Sequence, residues 1–228
     1  MALNRRFRVY GLCGALVLPA WCFAQPARIA PDVAERRGWT VAPSITVLAD
    51  EGDPRLPLVR DAVEFWNSTF SELGTPFRLG AATRVTGAVP AEEFKALSEK
   101  IVGAGPGFRD LPESVRRVDG NIVVALSDGN FISFAVRQAT GDKAIVAIKS
   151  HRSYPFTLPN VARNVIAHEI GHAIGLRHND DPAMLMCGRP APCRPDAFAS
   201  STARYFPLTQ ADKASLLRMY PPSWKPRG

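Results

Sequence analysis

The sequence predicts an α/β fold in which a sheet of five strands packs against helices. Three observations favour this class: short apolar runs recur through the first two thirds of the chain, a long helical pattern lies among them, and two helical patterns follow. Elements in this order pack in two or three layers around one core. At 228 residues the chain is long enough for one such domain.

The five strands are predicted from short runs of apolar residues. The first lies near Ile45 to Ala49, where apolar and polar residues alternate in the stretch SITVLAD. The other four runs are bounded by turn residues, as strands commonly are. They are Phe77 to Leu79, Ile122 to Leu126, Phe131 to Val136 and Ala144 to Ile148.

Two helices are predicted among the strands. The first runs from Leu56 to Leu73, where apolar residues form one broad face, and it is ended by Gly74 and Pro76. A polar stretch from Ala91 to Val118 contains the second, Ala91 to Ile101, followed by glycine and proline breakers. We interpret this polar stretch as a surface insertion.

Two further helices are predicted in the last third of the chain. Pro159 and Asn160 open a helix that continues to Leu176, with apolar residues spaced three and four apart on its buried side. The last helix begins after Thr209, a suitable N-cap residue, and stops at Pro221. These helices are expected to close the domain.

The first 24 residues have the three-part layout of a secretory signal peptide. A basic stretch is followed by an apolar run from Val9 to Trp21 and by the small residue Ala24. Arg5 and Arg6 leave a twin-arginine signal open as an alternative, and either route leads out of the cytoplasm. The sequence therefore predicts a secreted or periplasmic protein.

Beyond the signal, residues 25–42 are predicted as an irregular N-terminal segment and residues 43–228 as the folded domain. No later stretch reaches the ~20 apolar residues that cross a bilayer, so no membrane association is expected after signal removal. Removing the three signal arginines leaves 25 basic against 21 acidic residues. This weak charge favours a solvated surface over a nucleic-acid partner, and we expect a monomer.

Two cysteines, Cys187 and Cys193, remain once the signal is removed. In an oxidising compartment they are expected to pair with each other across the proline-rich loop CGRPAPC. Closing so short a loop stabilises the fold by only about 2 kcal/mol in the chain-entropy model. The disulfide is therefore expected to hold a local shape.

Three of the four histidines lie in the stretch AHEIGHAIGLRH, residues 167–178. His168 and His172 are four residues apart, which places them one turn apart on the same face of a helix. Two imidazoles in this arrangement can bind one metal ion, and Glu169 beside them suits a base that acts on water at the metal. A helix that carries two histidines by chance is the alternative.

A third histidine, His178, favours the metal site over chance. On a continued helix it would lie on the far side, about 240° round and 9 Å along, and could not share the metal. Gly175 can end the helix, because glycine adopts a positive φ without a Cβ penalty, and the chain can then return beneath the site. The fourth histidine, His151, is expected to be an ordinary loop residue.

The stretch HEIGHAIGLRH resembles the zinc signature HExxHxxGxxH of the metzincin metalloproteases. Eight residues beyond His178, Met186 stands at the spacing of the methionine turn in the matrixin branch, with Met184 as the alternative. The closing stretch LTQADKASLLRMY is similar to the matrixin terminal helix.

This resemblance implies a zincin-like α/β fold, with a twisted five-stranded mixed sheet, an active-site helix, a C-terminal helix and a small lower subdomain. It also implies one catalytic Zn²⁺ ion, for which three neutral imidazoles leave an open position. The implied ligands are His168, His172 and His178, and Gly175 and Met186 are implied to support the site.

Matrixin-like sites hold substrate extended along an antiparallel edge strand. We expect Phe131 to Arg137 to form that strand, with Ala144 to Ile148 as the alternative. The chain departs from matrixins at Cys187-Gly188, where an aromatic residue and proline are usual. The shape of the main matrixin specificity pocket is therefore not expected to carry over to this chain. With only His151 left over, no second structural zinc site is expected; calcium remains possible, but the sequence does not indicate it.

Together these features predict a zinc-dependent endopeptidase acting on a peptide or protein substrate, with Glu169 as the general base. One alternative is a catalytically idle zinc protein that binds peptides or proteins in its cleft. Binding alone does not need the Glu169 carboxylate, which argues against it. A metallohydrolase of cell-wall peptides is the other alternative, and digestion of casein compared with peptidoglycan separates it from the first hypothesis.

Overall fold

The computed structural model describes residues 38–87, 89–104, 110–152, 154–188 and 200–227. The predicted signal peptide and most of the predicted irregular segment lie outside the described residues, so both stay predictions. Residues 38–42 of that segment form neither helix nor strand. None of the helices in the described ranges has the length and apolar character needed to cross a membrane.

One mixed sheet of five strands forms the centre of the described fold. The strands are β1 (Ile45–Leu48), β2 (Ala82–Val85), β3 (Ile122–Leu126), β4 (Phe134–Arg137) and β5 (Ala144–Ile148). Their order across the sheet is β2-β1-β3-β5-β4, and β4 is antiparallel to β5 while the other pairs are parallel. The predicted mixed five-stranded α/β fold is confirmed.

Helices lie between the strands and after them in the described ranges. They are α1 (Leu56–Glu72), α2 (Ala91–Ala104), α3 (Glu113–Arg116), α4 (Pro159–Ala173) and α5 (Gln210–Met219). The first predicted helix is confirmed, and α4 ends three residues before the predicted boundary at Leu176. At the predicted N-cap of α5, the Thr209 side chain and the Asp212 carboxylate each accept a backbone N–H of the other, which is a capping box.

Both faces of the sheet are covered, so β3 and β5 are buried along their whole length. Alternate side chains of these strands pack with α1 and α4 on one face. On the other face they pack with Phe94 and Leu97 of α2, which are 1% and 4% exposed. The prediction of a surface insertion at 91–118 is therefore wrong, because α2 supplies core residues. Strands covered on both faces are apolar at every position, as these two are.

The predicted strand at Phe77 to Leu79 is also wrong, since the edge strand β2 lies further along the chain. Phe77 is fully buried and stacks on Tyr220, with 3.8 Å between ring centroids. The backbone N–H and C=O of Leu79 both bond to the side-chain amide of Asn67, at 2.8 and 3.0 Å. Phe77 is therefore buried and the backbone of Leu79 is hydrogen-bonded, although this segment does not join the sheet.

The prediction of an antiparallel edge strand at residues 131 to 137 is confirmed in position, although β4 begins only at Phe134. The alternative, Ala144–Ile148, is β5 and lies between β3 and β4. Phe131 contributes a buried ring beside Phe94 and Phe134 instead of extending the strand.

Arg55 joins the start of α1 to the ends of two central strands. Its buried guanidinium forms an ion pair with Asp53 at 2.6 Å and donates to the carbonyl oxygens of Ser127 and Lys149 at 2.9 and 2.7 Å. Burial raises the pKa of the Asp53 carboxyl, but the hydrogen bonds and charge of Arg55 outweigh it and hold that pKa below its usual value.

The C-terminal end of α4 is closed by two buried residues from distant parts of the sequence. The indole N–H of Trp39 donates to the carbonyl oxygen of Ala173 at 3.0 Å, and the Tyr220 hydroxyl donates to that of Ile174 at 2.7 Å. The backbone N–H of Trp39 donates to the same hydroxyl at 3.1 Å. Carbonyl groups at a helix end lack intrahelical partners, and these two side chains supply them.

Candidate metal centre

α4 and the turn that follows it bring three histidines together. His168 and His172 lie one turn apart on α4, and their ring centroids are 4.6 Å apart. After the helix ends, Gly175 has a φ of +112°, which a residue with a Cβ rarely adopts. The chain returns so that Nε2 of His178 lies 2.9 Å from Nε2 of His172 and 3.2 Å from Nε2 of His168.

The distances from Nε2 of His178 to the other two Nε2 atoms, 2.9 and 3.2 Å, are close to those between ligands of one zinc ion, and the ligand atoms of all three histidines lie within 4.8 Å of one another. Zinc binds nitrogen at about 2.0–2.1 Å, so a tetrahedral arrangement separates two ligand nitrogens by roughly 3.3 Å. Three nitrogen lone pairs this close repel one another unless a cation or a proton lies between them. In the described part of the chain these three histidines form the one cluster of His, Cys, Asp or Glu that could hold a metal ion, and His151 is outside it.

Backbone carbonyl groups orient two of the three rings. Nδ1 of His168 lies 2.7 Å from the carbonyl oxygen of Leu185, and Nδ1 of His172 lies 2.9 Å from that of Leu176. A carbonyl oxygen can only accept, so each Nδ1 carries the proton and each Nε2 keeps its lone pair for a metal. Leu176 directly follows Gly175, so the turn that ends α4 also sets the ring of His172.

Two features position His178: it packs tightly against Gly188, and the next residue, Asn179, is held by hydrogen bonds. A Cβ built on Gly188 would lie 2.4 Å from Cγ of the His178 ring. Next to His178, the N–H of Asn179 donates to the Met186 carbonyl at 2.8 Å, and its C=O accepts from the Gly188 N–H at 2.9 Å. The Asn179 side chain donates to the Asp212 carboxylate at 2.9 Å. Sequence reasoning noted Gly188 only as a departure from the matrixin pattern.

Met186 packs against Gly171 of α4, the residue before His172, and its role in supporting the site stays a prediction. Met186 is fully buried, whereas Met184 is partly exposed. A Cβ on Gly171 would lie 2.7 Å from the Met186 sulfur and 3.0 Å from the ring of Trp66. Sequence reasoning missed Gly171, although a glycine inside a helix costs about 1 kcal/mol relative to alanine and so indicates a packing reason.

Glu169 lies on α4 between the two histidines in sequence and is only 7% exposed. Burial raises the pKa of its carboxyl to about 8, because loss of water disfavours the charged form. A divalent cation held by the neighbouring histidines would lower this pKa again. A carboxyl group that titrates near neutral pH can accept a proton and release it, as a general base must.

Of the two cysteines predicted to pair, only Cys187 is among the described residues. Cys187 is buried directly after Met186, and its backbone pairs with Asn179 in an isolated bridge. Cys193 lies outside the described residues, so the disulfide stays a prediction.

Two solved structures are similar to this chain at low sequence identity. Archaemetzincin from Methanopyrus kandleri is 17% identical with a TM-score of 0.46, and the match covers 79% of this chain and 96% of that one. Metalloproteinase-II from Bacteroides fragilis is 16% identical with a TM-score of 0.43, over 81% of this chain and 54% of that one. This chain thus spans about half the length of the second protein.

A family model matches the part of the chain that contains the histidine cluster. Residues 123–192, just under a third of the chain, match the dual-action HEIGH metallo-peptidase family, and residues 168–172 spell HEIGH. A comparison with curated proteins finds no significant match. The family match and the three converging imidazoles together support a zinc metallopeptidase.

Proposed function

We propose that this chain is a zinc-dependent endopeptidase in which His168, His172 and His178 bind one zinc ion and Glu169 is the general base. The observation that carries the proposal is the convergence of three Nε2 atoms beside a buried carboxyl group on the same helix. Zinc bound by three neutral imidazoles supplies Lewis acidity towards a water molecule and a peptide carbonyl.

Glu169 performs the proton transfers of the proposed reaction. Its carboxylate takes a proton from the attacking water and delivers it to the nitrogen of the leaving amine. Its place on α4 between His168 and His172 in the sequence, with a largely buried carboxyl group, supports this role. The Nδ1–H bonds of His168 and His172 to backbone carbonyls hold both rings in the tautomer that the proposal needs.

An extended peptide is the substrate that the sheet favours. β4 pairs with β5 along one side, and no described strand pairs with its other side. A free edge can bind an extended chain through main-chain hydrogen bonds, with side-chain pockets adding selectivity. The matrixin-like assignment is part of the proposal and is supported by the buried Met186 and by the capped helix α5.

The proposed location is outside the cytoplasm, as a secreted or periplasmic monomer. The signal-like layout of residues 1–24 and the cysteine pair expected at Cys187 and Cys193 support it.

The test is a cleavage profile of the purified protein on a proteome-derived peptide library, with zinc content measured on the same sample. Cuts at internal peptide bonds by protein containing one zinc ion are expected. Stepwise removal of terminal residues would contradict the endopeptidase assignment. A sample that holds zinc but cleaves nothing would favour the binding protein, and cleavage of peptidoglycan peptides alone would favour the cell-wall hydrolase.

A further inference from the structure

Four polar residues follow one another at four-residue spacing along one row of α4: Asn160, Asn164, His168 and His172. The two asparagines are completely buried. Burying an amide group costs free energy unless it is hydrogen-bonded, and asparagine is a poor helix former. Their place in the same row as two histidines of the metal site therefore needs a physical reason.

Asn160 binds the backbone of a segment near the C-terminus. Its Nδ2 donates to the carbonyl oxygens of Ser200 and Thr202, both at 2.7 Å. Its Oδ1 accepts from the backbone N–H of Arg204 at 3.1 Å. One side chain thus fixes three backbone groups of this segment.

Asn164 continues the same pattern one turn further along α4. Its Nδ2 donates to the carbonyl oxygen of Arg204 at 2.9 Å, and its Oδ1 accepts from the N–H of Phe206 at 2.8 Å. The segment contacts α4 at every second residue, as an extended strand contacts its neighbour. The two amide side chains therefore take the place of a partner strand.

The end of this segment is connected to the metal site through Leu185. The carbonyl oxygen of Pro207, next to Phe206, accepts the N–H of Leu185 at 2.8 Å. The carbonyl oxygen of Leu185 is the group that lies 2.7 Å from Nδ1 of His168. A continuous series of hydrogen bonds and two short backbone steps thus runs from Asn164 to His168, both of which lie on α4.

We propose that Asn164, supported by Asn160, is a positioning residue for His168. By fixing Phe206 and Pro207, Asn164 fixes the Leu185 carbonyl, and this carbonyl sets both the tautomer and the direction of the His168 ring. The two ends of the series lie one turn apart on a rigid helix, so the Leu185 carbonyl is held relative to the ring that it orients. This inference rests on the proposed function only in that His168 binds zinc.

The experiment compares Asn164→Ala with a matched control, Asn67→Ala. Asn67 also uses its amide to bind the N–H and C=O of one residue, Leu79, but it lies on α1, and Leu79 is not part of the segment that leads to Leu185. For each variant and the wild type, we measure the thermal unfolding of the metal-free protein and the zinc dissociation constant by competition with a chromophoric chelator. The absorption spectrum of the cobalt-substituted protein reports the ligand geometry.

Both variants are expected to unfold at a lower temperature, because Asn67→Ala loses two hydrogen bonds and Asn164→Ala loses three, the third running from Nδ2 to the carbonyl oxygen of Asn160 at 2.8 Å. Only Asn164→Ala is expected to weaken zinc binding, by about 10- to 100-fold, as is typical when a residue that orients a metal ligand is lost. It should also shift the cobalt spectrum, and Asn67→Ala should leave it unchanged. If Asn164→Ala does not fold, Asn164→Ser, which keeps one donor and acceptor, is compared with Asn67→Ser.

A zinc dissociation constant equal to that of the wild type in the Asn164 variant would overturn the inference, whatever the loss of stability. Equal weakening in the Asn67 control would overturn it too, because the effect would then be general destabilisation. A wild-type protein that binds zinc tightly but cleaves no peptide would contradict the proposed peptidase. The comparison of zinc affinities would still test the role of Asn164. A wild type that binds no zinc overturns both.

Discussion

Gly188 and His178 pack so closely that a Cβ on the glycine would lie 2.4 Å from Cγ of the imidazole and 2.8 Å from its Nδ1. Non-bonded atoms cannot approach this closely, so one of the two residues must move. The Gly188 backbone is held by a hydrogen bond of 2.9 Å to Asn179. His178 is the exposed member of the cluster, and its own Cβ would lie 2.5 Å from the added atom, so its whole side chain must shift.

We therefore predict that Gly188→Ala displaces His178 and weakens zinc binding by about tenfold or more, as loss of a ligand's support does. Zinc content after dialysis against a dilute chelator measures the effect. The control is Gly103→Ala in α2, where an added Cβ meets nothing within 4 Å. Unchanged zinc retention in Gly188→Ala would show that His178 needs no support from this packing.

Glu169→Gln separates proton transfer from metal binding. Glutamine keeps the size of glutamate but cannot take a proton, so peptide cleavage should fall by about 10²–10⁴ while zinc content stays the same. His172→Ala is the matched comparison and should lose both zinc and activity, because two protein ligands seldom hold a zinc site built for three. A glutamine variant that cleaves as fast as wild type with zinc bound would exclude Glu169 as the base.

Gly171→Ala should destabilise the fold by roughly 1–3 kcal/mol, because the new Cβ overlaps the Met186 sulfur. Met186→Ala removes the overlap with the sulfur but not the 3.0 Å approach to the Trp66 ring, so the double variant should be less destabilised than the sum of the two single variants by about 0.5–3 kcal/mol. Urea unfolding of all three variants measures this coupling. Met184→Ala is the control partner, and its combination with Gly171→Ala should be additive. Additivity with Met186 would contradict the packing described.

The ion pair between Asp53 and Arg55 predicts a dependence of stability on pH. The pKa of Asp53 is lowered in the folded protein, so its stabilisation is present above its usual value of 3.8 and is lost as the pH falls through the folded pKa. Asp53→Asn should therefore lower the free energy of unfolding by about 1.5–3 kcal/mol at pH 7. The difference from wild type should shrink in acid.

Unfolding curves between pH 3 and pH 7 check this dependence. Glu51→Gln, which changes an exposed carboxylate close to Asp53 in the sequence, should alter stability by less than about 0.5 kcal/mol throughout. A constant difference between Asp53→Asn and wild type over this range would contradict the assigned pKa.

The cluster of His168, His172 and His178 could be anticipated because its geometry is local. Helical spacing places the first two, and one glycine allows the chain to return with the third. The central strands β3 and β5 were equally predictable, since burial on both faces makes every position apolar. In each case a short window of sequence contains the whole physical cause.

Other features depend on contacts between distant parts of the chain, which no short window contains. Phe77 belongs to an apolar run but is buried against Tyr220 instead of forming a strand. The close approach of His178 explains the glycine at position 188, and the close approach of the Met186 sulfur explains the glycine at position 171. Asn164 looks like a surface residue of an amphipathic helix until the segment that it binds is known.

The closure of α4 by Trp39 and Tyr220 has a consequence for the order of folding. The indole that binds Ala173 lies 134 positions away in the sequence, and the hydroxyl that binds Trp39 lies 181 positions away from it. Contacts of such separation form late and slow folding, because most of the chain must be in place first. A chain that lacks residue 220 has no hydroxyl to bind the Ile174 carbonyl, so closure of the helix that carries His168 and His172 requires the chain as far as Tyr220.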